Sequence, residues 1–216
     1  MQFITYILAT ALLFFGAPAA SVVFDRNTGL AATPAFRFQS VPPPSKDDAA
    51  TSAALALVVG VRDPNSAQLR VLTDGLVPSS EDQPRANFFF RDGSHGGRIR
   101  LDLGAVIEIS QVNTYSWHSN TRAPQFYNLY ASDGSAPNFN PAPDEKTHPA
   151  DVGWTLLATV YTIPREGAMG GQFGVRISAP GGSLGKFRYL LFDCVPTEYD
   201  DPWGNTFFSE IDVLKP

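Results

Sequence analysis

Along most of the chain, apolar residues come in short alternating runs separated by clusters of Gly, Pro, Asn and Asp. Alternation is the period of a half-buried strand, and such clusters are where strands turn. The pattern predicts strands in AFRFQSV, NFFFRD, GRIRLDLG, IEISQVNTYSW, QFYNLYAS, WTLLATVYTI, QFGVRIS, KFRYLLFDCV and FFSEIDVL. ATSAALALVVGVRD fits helix by its alanines and strand by LALVVGV, and it is assigned mostly to strand. No long amphipathic helix and no repeat of solenoid length interrupts the series. Many short strands at this spacing predict one all-β domain, a sandwich or barrel. The polar stretch SDGSAPNFNPAPDEKTHPADVG reads as a surface excursion between two strands.

The last run poses a question. Alternation puts Phe207, Ser209, Ile211 and Val213 on one face and Phe208, Glu210, Asp212 and Leu214 on the other. A carboxylate flanked by so much apolar surface is costly unless it is paired, hydrogen-bonded, metal-bound or at a wet rim. For Glu210 all of these readings stand at this point.

The N-terminus follows a different rule. FITYILATALLFF is a continuous apolar run, and GAPAA places Ala17 and Ala19 in an A-x-A arrangement. Residues 1–21 are expected to be a cleaved export signal, although MQF carries no Lys or Arg. The run is short for a bilayer span, so no transmembrane anchor is expected. Residues 22–33 read as a lead-in and 34–216 as the domain, which is expected to work as a secreted, extracytoplasmic protein.

Composition narrows the function classes. The 216 residues are 44% hydrophobic and 17% charged, with 18 Gly, 18 Pro, 16 Phe and 7 Tyr. A net charge of −5 without a basic block leaves nothing to neutralise phosphates, so nucleic acid and anionic membrane are not expected partners. Cys194 is the only cysteine, and RYLLFDCVP makes it a buried small apolar residue. GGSLG at 181–185 matches a hydrolase elbow, but that elbow needs a following helix and a later His, and no His follows His148. It reads as a turn. His95, His118 and His148 lack zinc spacing, and DGSAPNFNPAPDE lacks calcium-loop spacing. The acidic turn EYDDPW fixes no catalytic carboxylate pair, so no enzyme activity is expected.

One combination is more specific. RVLTDG, GGRIRLDLG, VNTYSW, RAPQFYNLYASDG, GWTLLATV and GNTFFSEIDV follow one another in that order. Together they resemble the discoidin, or coagulation-factor C-type, family of the galactose-binding-like superfamily. The resemblance spans about Val71 to Leu214 and lacks the terminal cysteine pair of animal members. It implies a discoidin-like jelly-roll β-sandwich that binds ligands without catalysis. It also implies a structural calcium, with Asp74 and Glu210 as its two side-chain ligands and main-chain carbonyls making up the rest.

The implied partner is a glycan or cell-surface polysaccharide, the alternative being a protein partner in a surface assembly. Sugar sites combine aromatic faces with hydrogen-bonding side chains, and YSWHSNTRAPQ offers Trp117, His118, Asn120 and Arg122. Core packing for Trp117 and a salt bridge for Arg122 remain open beside that role. Tyr199 and Trp203, in the acidic turn, are further ligand candidates.

Overall fold

The computed structural model describes residues 20–198 and 205–216. Nine strands among them form two antiparallel sheets. The first sheet holds β1 (Ser21–Asn27), β7 (Gly171–Ser178), β4 (Gln111–His118) and β9 (Phe208–Leu214), in that spatial order. The second holds β2 (Ala54–Val59), β3 (Gly97–Ile109), β8 (Gly185–Cys194), β5 (Phe126–Ser132) and β6 (Thr155–Tyr161). Val112, Val175, Ile177, Phe208, Ile211 and Val213 from the first sheet meet Ile99, Leu101, Leu129, Val160, Leu190 and Phe192 from the second. That apolar layer is what strand alternation dictates, and its burial is the main source of stability.

The outer faces are also covered, each by a long loop. On the second sheet the 133–153 excursion lies over Tyr130, Trp154, Tyr189 and Leu191. Arg98 holds it there by donating to the carbonyls of Asp144 and Thr147 while its Nε bonds Asp193 at 2.9 Å. On the first sheet, Phe36 and Val41 pack on Tyr115 and Trp117. Gly174 makes this approach possible, since a Cβ there would lie 2.7 Å from the Phe38 ring.

Several expectations need correction: NFFFRD makes only isolated bridges, Phe88 to Phe208 and Phe90 to Arg62. Ser21–Asn27 is no lead-in: it pairs with β7 along its whole length and completes the first sheet, so the domain starts before residue 34. SVVFDRN has the alternation of an edge strand, which its place beside the apolar N-terminal run obscured. AFRFQSV is not a strand: Phe36 adopts φ +45°, and the segment turns its aromatic rings onto β4. The strict alternation of the last run also fails. Tyr115 faces Glu210 but Ser116 faces Phe208, so Ser209 is the extra residue of a β-bulge. Phe208 therefore joins Ile211 and Val213 in the core, while Glu210 and Asp212 share the covered outer face. The expected signal peptide, except for its last two positions, lies outside the described residues.

Candidate functional site

The predicted ligand loop begins at the end of β4. Trp117 is on the outer face of the first sheet, only 5% exposed, with its ring edge-on to Phe36 at 5.7 Å. His118 points the other way, edge-on to Phe207 at 4.5 Å. Its Nδ1 accepts from the Asn120 amide, which leaves the proton on Nε2, 3.4 Å from Asp82 Oδ1. Burial, aided by Arg122, lowers the imidazole pKa against the pull of Asp82. Arg122 is buried too, its guanidinium over Phe89 at 5.0 Å and over Phe207 at 4.8 Å. Only Asn120 of the four is exposed.

The structure thus joins His118 to Arg122 through Phe207 and puts Trp117 on the opposite side of the strand. An open platform of Trp117 beside Arg122 does not form, because both side chains are packed against aromatic rings. Tyr199 and Trp203 lie outside the described residues. Asp82, Phe89 and Phe207 complete the arrangement. Nothing in the local pattern points to Asp82, while Phe89 and Phe207 stand in the phenylalanine runs NFFFRD and FFSEIDVL.

Beside Trp117 a cavity of about 660 Å³ opens to solvent. Three segments far apart in sequence wall it: Arg26–Pro34, Ser79–Glu81 and Ala168–Gly171, with Trp117 and Ser119 at the end of β4. Hydroxyl groups of Thr28, Ser79, Ser80 and Ser119 stand with the Glu81 carboxylate among the apolar surfaces of Ala32 and Pro34. The Nε1 of Trp117 is buried and meets no acceptor. A buried donor without a partner costs on the order of 1–3 kcal/mol, and the Trp117 ring rather than its N–H is what can meet the cavity.

A second arrangement lies on the same outer face. Glu210 is fully buried, and neither carboxylate oxygen meets a hydrogen-bond donor of acceptable geometry. Burial raises its pKa to about 10, reinforced by Asp212, Asp74 and Asp48, with the Gly75 amide pulling the other way. Burial likewise lifts Asp212 to about 7, even though its Oδ2 accepts from the Ser45 amide and the Tyr115 hydroxyl. The Thr73 hydroxyl beside Asp74 is also buried without a partner.

The turn is fixed by Asp74 Oδ1, which accepts from the Leu76 amide, and by Gly75 at φ +71°. A Cβ at Gly75 would come within 2.8 Å of the Lys46 main chain, so the 45–48 and 73–76 loops converge on β9 here. The side chains fit a hard cation: two unpaired buried carboxylate oxygens, with Asp212, Asp74 and Asp48 close enough to raise the Glu210 pKa. Among the described residues no three His, Cys, Asp or Glu side chains could hold a metal by themselves. Carbonyl or water oxygens would have to complete the shell.

No family model matches the sequence, and no curated protein matches it. Solved structures do. The lectin domain of lectinolysin, complexed with Lewis B antigen, has a TM-score of 0.50 at 10% identity over 80% of this chain and 99% of that one. A His 62 mutant of that domain gives 0.50 at 11% over 81% and 99%. The fold is the discoidin-like β-sandwich. The family 32 CBM from C. perfringens NanJ, in complex with galactose, gives 0.48 at 11% over 77% and 96%. Against SpGH29 (TM-score 0.42, 13% identity) the match covers 79% of this chain but only 28% of that one. Within this sandwich the GGSLG stretch is a turn leading into strand β8, with Ser183 Oγ accepting from the Gly185 amide. Among the described residues no helix is long and apolar enough to cross a membrane.

Proposed function

We propose that this chain is a non-catalytic glycan-binding module that works outside the cytoplasm, with its sugar site in the cavity beside Trp117. The observation that carries the reading is the solvent-open cavity that Trp117 lines together with Thr28, Ser79, Ser80, Ser119 and Glu81. A pyranose offers hydroxyl groups to the Ser and Thr side chains and to Glu81, and C–H faces to the apolar wall. The lectinolysin domain of the same fold is complexed with Lewis B antigen, which supports a glycan as the ligand class. Each hydroxyl exchanges water for a protein partner at a net gain of about 1 kcal/mol, so monovalent affinity should be weak and retention multivalent.

Calcium belongs to the same proposal, held by Asp74 and Glu210 with main-chain carbonyls. Bound there, it would neutralise the buried carboxylates. It would also tie the 73–76 turn to the last strand, in a chain whose single cysteine can form no internal disulfide.

A dense glycan array probed with calcium-loaded protein tests the function. Retention on neutral glycans is expected, weakened by Glu81→Gln and by Ser119→Ala. Absence of retention on every neutral glycan would overturn the reading.

A further inference from the structure

The two sheets do not close against each other along one side. There the edge strand β1 faces the end of β6, and a cleft of about 530 Å³ runs between them. Phe24 pairs with Val175, so it is on the core-facing side of β1, toward the end of β6. Its ring is left 47% exposed. Tyr161, 55% exposed, lines the same cleft from the other sheet, held edge-on by Phe126 at 5.1 Å. Exposed aromatic residues from two different sheets in one cleft mark a recognition surface more than a packing accident.

The charge of the cleft is one-sided. Its lining includes Arg26 and Arg165 and no carboxylate, in a chain of net charge −5. Arg26 is held over the Phe173 ring at 5.5 Å, and its Nε and Nη2 donate to the main-chain carbonyls of Ala168 and Gly170. Carbonyls fix the guanidinium without cancelling its charge. Among the described residues neither Arg26 nor Arg165 is within ion-pair distance of an acidic side chain. Low-dielectric walls lined by one sign of charge focus potential on whatever enters.

The geometry points to this cleft as a second binding site, taking an anionic glycan. The C–H face of a pyranose stacks on Phe24 and Tyr161, and its carboxylate or sulfate lies against Arg26 and Arg165. An aryl or acyl ligand would use the rings but leave the two cations unanswered. Arg26 also lines the cavity beside Trp117, so it forms the partition between the two sites.

Calorimetric titration of the purified protein with an oligogalacturonate, a sulfated oligosaccharide and a neutral oligosaccharide tests the assignment. The probes separate carboxylate from sulfate as the recognised anion. At least one anionic probe should bind, with at least tenfold higher affinity than the neutral one in this cleft, and should weaken as salt rises. Arg165→Gln and Tyr161→Ala should each lower that affinity about tenfold or more, with unchanged melting temperature because both side chains are exposed. Phe24→Leu should also weaken it while keeping apolar bulk in β1.

Trp117→Phe should leave anion binding intact, which separates this cleft from the proposed neutral-sugar cavity. Three results would overturn the inference: no binding of either anionic probe, binding indifferent to Arg165→Gln and Tyr161→Ala, or loss of anion binding in Trp117→Phe. A concentration-dependent dimer broken by Phe24→Leu would overturn it too, showing that a second copy occupies the cleft.

Discussion

Tyr115 and Glu210 stand directly opposite each other on β4 and β9, and only the tyrosine has found partners. Its hydroxyl is 2.8 Å from the Pro42 carbonyl and 3.1 Å from Asp212 Oδ2, while both Glu210 oxygens are buried and unpaired. The Ser209 bulge is what turns Glu210 to this face. An isolated buried anion is so costly that the site must either hold a proton or a cation.

If a cation fills that role, metal-stripped protein should melt at a lower temperature than calcium-loaded protein. A ligand that binds only the folded state adds about 2.7 kcal/mol at a hundredfold excess over Kd. Glu210→Gln keeps the shape and is neutral without having to take up a proton on folding, so its melting temperature should rise relative to stripped wild type and lose most of its calcium response. Identical melting curves with and without chelator would contradict the calcium assignment.

Without metal, the same carboxyl makes stability fall as pH rises. The folded pKa of Glu210, about 10, is far above its ordinary 4.5, so between those values the folded state holds a proton that the unfolded state has released. Its contribution is full below about pH 4.5 and is lost progressively as pH climbs through 10. Asp212 acts in the same direction between 3.8 and about 7. His118, with its lowered pKa, acts in the opposite direction below its ordinary 6.5. The buried Cys194 thiol, raised above its ordinary 9.0, adds to the fall near that pH, which leaves pH 7–8 as the clean window. There, denaturant titrations in chelator should lose up to about 1.4 kcal/mol per pH unit. Saturating calcium should flatten that slope.

Arg122 is expected to be a packing residue. Arg122→Ala removes a guanidinium lying on two aromatic rings, and such contacts contribute on the order of 0.5–2 kcal/mol each when desolvated. A clear fall in melting temperature is expected from thermal scans, with Arg122→Lys intermediate. An unchanged melting temperature would return Arg122 to the list of open ligand contacts.

Removing β1 should also be felt throughout the first sheet. A chain beginning at Pro34 would expose the β7 edge and uncover Val22's packing on the core. It should be less stable and more prone to aggregate than one beginning at Ser21, as scattering during refolding would report. Equal behaviour would return residues 22–33 to the status of a lead-in.

The strands were legible because each carries its own alternation: QFGVRIS and QFYNLYAS look half-buried wherever they pair. Glu210 was legible as an anomaly, since a carboxylate inside an apolar run breaks a local rule. Phe36 was not, because AFRFQSV alternates like a strand and only the tertiary contact with Tyr115 and Trp117 holds it at positive φ. The Ser209 bulge leaves no local signature, so the partition of Phe208 from Glu210 depended on pairing with β4. The cavity was least legible of all. Thr28, Ser80, Trp117 and Gly170 meet only once both sheets have formed, and no spacing along the chain announces that meeting.

Trp117 itself separates packing from recognition. Trp117→Ala should destabilise the protein by about 3–5 kcal/mol, as expected for truncating a large buried ring. Trp117→Phe retains an aromatic ring but reduces the surface it lends to the cavity wall, so it should fold while losing affinity for neutral glycans. Equal affinity in the phenylalanine variant would remove the indole from the site.

The most direct measurement follows the indole N–H resonances of ¹⁵N-labelled protein as a neutral glycan retained on the array is titrated in. Trp117, Trp154 and Trp203 supply three such signals, and the one absent from Trp117→Phe identifies Trp117. The Trp154 indole already donates to the Asn140 carbonyl at 2.8 Å, so its signal should stay nearly fixed. The Trp117 signal should shift and saturate as a sugar fills the cavity that the indole lines. A glycan that binds while the Trp117 signal stays in place would contradict the cavity as the sugar site.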